Sequence, residues 1–112
     1  MRPLRNLTPE SATLISERFR ALGEPMRLAL LHQLRGGERS VSELVGRLGA
    51  GQANVSKHLQ VLHRHGFVAR RKEGVTTWYR IADPSVFELC DLVCGGLREE
   101  AAARRRAVGR LQ

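Results

Sequence analysis

The segment from Gln52 to Ile81 constrains this chain more than any other part of it. Within Gln52-Ala-Asn-Val-Ser-Lys-His-Leu-Gln-Val-Leu, the residues Val55, Leu59 and Leu62 recur at i, i+4 and i+7, the spacing of one buried face of a helix. Gln52, Asn54, Ser56, Lys57 and Gln60 are left on the open face. Gly66 ends the helix, and two β-prone runs, 67–72 and 76–81, flank Glu73-Gly74-Val75 as the arms of a hairpin. Short hydrogen-bonding side chains with one cation are the inventory that meets base edges and phosphates. Helix and hairpin together point to double-stranded DNA.

The distribution of charge supports the same partner. Between residues 51 and 82, Lys57, Arg64, Arg70, Arg71, Lys72 and Arg80 face a single acid, Glu73. Over 83–112, five arginines balance Asp83, Glu88, Asp91, Glu99 and Glu100. Most of the net charge of +8 therefore lies on the helix and hairpin, and nucleic acid is the commonest partner of a soluble basic domain. With 112 residues, 42% of them hydrophobic, one domain is expected, small enough that dimerisation would complete its core. No apolar run approaches the roughly 18 residues of a membrane span, and residues 1–6 lack the apolar stretch of a signal peptide. Two cysteines four residues apart are no secreted disulfide framework, so reduced thiols and a cytoplasmic location are expected.

The rest of the chain is helical in pattern. Thr8-Pro9 signals a helix start, with Ile15, Phe19 and Leu22 as its stripe and Gly23 as its end. A second helix starts at Pro25, carries Leu28, Leu31 and Leu34 inward and stops at Gly36-Gly37. Ser40-Val-Ser-Glu43 has capping-box spacing before a short helix whose buried face is Val41, Leu44, Val45 and Leu48. Gly49-Ala50-Gly51 turns into the polar helix, a helix-turn-helix arrangement with the hairpin as a wing. Asp83-Pro84 restarts a helix with a broad apolar face of Val86, Cys90, Val93 and Leu97, interrupted by Gly95-Gly96. The expected fold is mainly α with a small β-hairpin: a winged helix-turn-helix of five helices. The expected organisation is a flexible N-terminus over 1–7, a DNA-binding and dimerisation domain over 8–98 and a charged tail, solvated or disordered, over 99–112.

These landmarks resemble the ArsR/SmtB family of winged-helix repressors. The resemblance is carried by Leu22-Gly-Glu-Pro-Met-Arg-Leu-Ala-Leu-Leu, Ser42-Glu-Leu, Asn54-Val-Ser-Lys-His-Leu-Gln-Val-Leu, Gly66-Phe-Val and Tyr79-Arg. It implies a homodimer formed through the first and last helices, bound to an operator of inverted-repeat symmetry and released by an effector. It places Gln52, Asn54, Ser56, Lys57 and His58 at or beside the DNA, with Gln60 on the same open face. Arg70, Arg71, Lys72 and Thr76 are the corresponding wing contacts. The sequence departs from the family at its metal sites. Glu38-Arg-Ser-Val-Ser-Glu-Leu44 carries Ser40 and Ser42 where a thiolate site has cysteines, and the interfacial zinc-type site is reduced to Asp83, Ser85, Gly96 and Glu99. Two carboxylates without imidazole suit a borderline-soft metal poorly.

Cys90 and Cys94 lie at i, i+4, on one helix face. Both thiolates can meet one soft ion such as arsenite, and two copies across a dimer bring four sulfurs. Reactive sulfur or oxidant chemistry is the other sensing route. The alternative is that both are small buried hydrophobes in the interface, since free cysteine is among the most buried residue types. His32, His58, His63 and His65 do not stack on one helix face and make a poor ligand set, and His58 is expected to pack or to donate to phosphate. Three classes of function follow: a repressor of this fold, controlled at Cys90 and Cys94 or without an inducer site there; a non-sensing architectural protein that coats DNA through its charge; and an enzyme. The sequence offers the last no glycine-rich phosphate loop and no nucleophile with a visible histidine and acid partner.

Overall fold

A computed structural model describes residues 6–111. The chain divides into one unit ending at Ala82 and a second starting at Asp83. In the first, α1 (Pro9–Leu22), α2 (Pro25–Leu34), β1 (Arg39–Ser40), α3 (Val41–Leu48) and α4 (Gln52–Arg64) precede β2 (Val68–Glu73) and β3 (Thr76–Ile81). The second holds α5, Val86–Gly109.

Local chemistry sets the helix ends. The Thr8 side chain caps α1 and Pro9 occupies its first turn. At α3 the Ser40 hydroxyl accepts from the Glu43 backbone N–H at 3.1 Å and the Glu43 carboxylate accepts from the Ser40 N–H. This reciprocal capping box satisfies two of the donors that a helix start leaves orphaned. Gly49 closes α3 at φ 62°, a left-handed conformation that costs an L-residue roughly 1–2 kcal/mol. Its N–H returns to the Val45 carbonyl, and Gly51 opens α4 two residues later. That is the helix-turn-helix.

The core of the first unit is aliphatic. Leu30, Leu31 and Leu34 from α2, Leu44 from α3, and Val55, Leu59 and Leu62 from α4 are fully buried, each contributing roughly 1.5–3 kcal/mol. Two expected features differ. Leu28, expected inward, is exposed and Leu30 takes its place, because α2 is apolar on several sides and its period does not single out one face. Phe19, expected in the stripe of α1, is exposed like Leu14.

The sheet has three antiparallel strands in the order β1-β3-β2, where a two-stranded hairpin was expected. The added strand pairs Arg39 with Tyr79 and Ser40 with Trp78, tying the start of α3 to the wing. In the hairpin, Glu73 pairs with Thr76, so the loop is only Gly74-Val75.

Helix α5 starts later and ends later than the pattern suggested. The Asp83 carboxylate accepts from the N–H and hydroxyl of Ser85, a local turn that keeps Pro84 outside the helix. The helix runs unbroken through Gly95-Gly96 and on to Gly109. The segment 99–109 is therefore helical, against the expected solvated or disordered tail; alanine and arginine are strong helix formers, and Arg104 pairs with Glu100 at 2.7 Å. Of the expected flexible terminus, residues 1–5 lie outside the described residues.

Candidate nucleic-acid interface

Burial of Val55, Leu59 and Leu62 fixes the roll of α4 and leaves Gln52, Asn54, Lys57 and Gln60 exposed, with Ser56 half-buried. The wing completes this surface. Side chains alternate across a strand, so the register that pairs Arg70 with Tyr79 and Lys72 with Thr77 puts these four on one face of the hairpin. That face and α4 enclose a groove of about 480 Å³ lined by Ser56, Gln60, Arg70, Lys72, Thr77 and Tyr79. Polar side chains of the helix and cations of the wing thus share one concave surface. Thr77, which sequence reasoning passed over, lines the groove, whereas Thr76 pairs with Glu73 on the opposite face.

Two expected DNA contacts are placed otherwise. His58 is buried, with Nδ1 3.1 Å from Arg27 Nη1 and 3.8 Å from the Glu24 carboxylate. A guanidinium has no acceptor, so this contact is a hydrogen bond when Nδ1 is unprotonated. Arg27 also donates from Nε to the Ala21 carbonyl at 2.5 Å and from Nη2 to the Arg20 carbonyl at 3.1 Å. His58 therefore anchors α4 to the α1–α2 corner.

Arg71 borders the groove, yet its guanidinium is engaged within the protein. It donates to Glu38 through Nε at 3.0 Å and Nη2 at 2.7 Å, to Glu73 through Nη1 at 2.6 Å, and lies 5.4 Å from the Trp78 ring centroid. These bonds to Arg71 hold the Glu38 carboxyl below the usual carboxylate range, and they raise the guanidinium above its own. Under the clamp, the Trp78 indole N–H is buried without a hydrogen-bond partner among the described residues. Arg70 and Lys72 make no such ion pair among the described residues.

Cys90 is half-buried and Cys94 exposed, both as free thiols. Among the described residues no group of three or more His, Cys, Asp or Glu is placed to hold a metal ion. Ser40 stands where a family thiolate would, and its hydroxyl caps α3. No helix among the described residues is long and apolar enough to cross a membrane.

Residues 24–70 match the model of the bacterial regulatory proteins of the arsR family. The chain is 40% identical over 85 residues to a probable mercury resistance operon repressor of Streptomyces lividans, covering 76% of this chain and 68% of that protein. The chain belongs to the arsR family. Other arsR-type relatives include the transcriptional repressor SmtB of Mycobacterium tuberculosis, 43% identical over 67 residues that span 60% of this chain and 50% of the relative. The crystal structure of M. tuberculosis Rv0081 superposes with a TM-score of 0.75 at 34% identity, covering 88% of this chain and 98% of that one. The solution structure of the homodimeric winged helix-turn-helix DNA-binding domain of Mb0332 from Mycobacterium bovis, a possible ArsR-family regulator, gives 0.72 at 30% identity over 88% and 92%. This arsR-family chain is a winged helix-turn-helix, DNA-binding transcriptional repressor, and its relatives are regulators, not enzymes.

Proposed function

We propose that the chain acts as a homodimer that reads an inverted-repeat operator and leaves it when a thiol-binding effector engages Cys90 and Cys94. The observation that carries the first half is the shared groove, in which Ser56 and Gln60 of α4 stand beside Arg70 and Lys72 of the wing. Gln52, Asn54, Ser56 and Gln60 contact base edges, Lys57, Arg70 and Lys72 contact phosphates, and Thr77 lies between them. The homodimeric state of the M. bovis relative supports a dimer here.

For the second half, α5 offers two soft donors at i, i+4, one of them exposed. The same helix exposes Leu92, Val93 and Leu97, an apolar surface that a second copy would cover. With no third ligand grouped with the two thiols among the described residues, the partner's α5 is the natural source of further sulfur. A soft ion bound there displaces the thiol protons and sets the spacing of the two α5 helices. The mercury resistance named for the Streptomyces relative supports a soft, thiophilic ion.

The test is a titration of mercuric ion, arsenite, cadmium, zinc, copper(I) and persulfide into the protein bound to its own upstream duplex, in reduced buffer. A soft thiophile should release the duplex, and Cys90→Ser and Cys94→Ser should bind DNA normally without releasing it. Normal release by both variants would remove the cysteines from the mechanism.

A further inference from the structure

A second charged surface has a lining of its own and shares no residue with the groove. Between the C-terminal ends of α1 and α4 is a cleft of about 420 Å³ lined by Glu17, Arg20, Arg27, Val61, Arg64 and His65. Its volume is that of a small-ligand site. Three guanidinium groups and an imidazole there face one carboxylate.

The placement of these cations is not explained by helix ends alone. Arg20 and Arg64 stand in the last turns of α1 and α4, where a cation complements the negative end of the helix. Arg27 stands in the first turn of α2, where a cation adds to a positive end. Its bonds to Ala21, Arg20 and His58 use three of its five N–H groups and fix the guanidinium plane. Two N–H groups remain. Arg20 and Arg64 make no ion pair with any carboxylate of the described residues. Glu24, the nearby acid on α2, receives the Arg27 backbone N–H at 3.2 Å and does not line the cleft. Like charges held at one concave site repel one another until an anion enters, and the planar fork of arginine matches a phosphate oxyanion.

We infer that this cleft is a phosphate-binding site, in which Arg27 supplies the fixed donors and Arg20 and Arg64 close over the anion. Two sources present that chemistry: a small phosphorylated solute and the backbone of DNA flanking the operator. Calorimetric titration of the full chain with pyrophosphate, at ionic strength held constant with chloride, reads the first. Duplexes of operator length and duplexes extended by about one helical turn at each end read the second.

A free solute would show as one pyrophosphate per chain, with affinity reduced at least tenfold in Arg20→Ala and in Arg64→Ala. Flanking backbone would show as a loss of affinity in those variants on the extended duplex alone. If both variants match the wild type for pyrophosphate and for both duplexes, the site does not exist. Thermal unfolding of each variant separates loss of binding from loss of fold.

Discussion

At the residue scale, neighbouring cations in the wing do different work. Arg70 and Lys72 share the groove face, while Arg71 pairs with Glu38 and Glu73 and covers Trp78. Removing Arg71 leaves two bare carboxylates beside the path of DNA phosphates, so Arg71→Ala should weaken binding by repulsion. Adding Glu38→Gln and Glu73→Gln should then recover most of the affinity, as measured by fluorescence anisotropy. If affinity stays low in the triple variant, Arg71 contacts DNA directly. Solvent screens such exposed pairs, which add little to fold stability, so the thermal midpoint of Arg71→Ala should move little. The division was partly legible, because period-two alternation separates residue 71 from 70 and 72. The pairing with Glu38 was not, since it spans 33 positions and depends on β1.

At the element scale, segments whose signals agreed are the ones legible in the sequence. Period, capping box and glycine turn fixed α3 and α4, because each signal acts within a few residues. Strand β1 has two residues, too few for any periodicity, and exists through its pairing with β3. At Asp83-Pro84 the same residues that open a helix in one context form a turn in another, and the choice rests on the Ser85 hydrogen bonds. His58 follows the same lesson: its place in the sequence suits packing as well as a phosphate contact, and the choice rests on Arg27, which only the fold brings to it. Helix α5 carries its own test. A Cβ added at Gly95 or Gly96 meets nothing within 4 Å, so Gly95→Ala should stabilise the helix by about 1 kcal/mol and raise the thermal midpoint. A lowered midpoint would mean that a partner helix occupies that space.

At the scale of the whole molecule, the proposed dimer would make two reading heads act as one. Leu92, Val93 and Leu97 on α5 are exposed in the single chain, as are Leu14 and Phe19 on α1, and large apolar side chains clustered on one helix mark an interaction site. Leu97→Glu should give a monomer in sedimentation and lower operator affinity roughly 100-fold, the scale of bivalent binding; a variant that remains dimeric would place the interface elsewhere. The central claim is that α4 reads sequence while its cation and the wing grip the backbone. The most direct measurement is the salt dependence of binding to the upstream duplex and to random duplex for wild type, Lys57→Ala and Gln52→Ala. Lys57→Ala should weaken both duplexes alike and flatten the log–log slope by about 0.9 for each phosphate it no longer neutralises. Gln52→Ala should keep the slope and reduce discrimination between the duplexes by about 1–3 kcal/mol. Equal losses on both duplexes for both variants, with no difference in slope, would contradict the account.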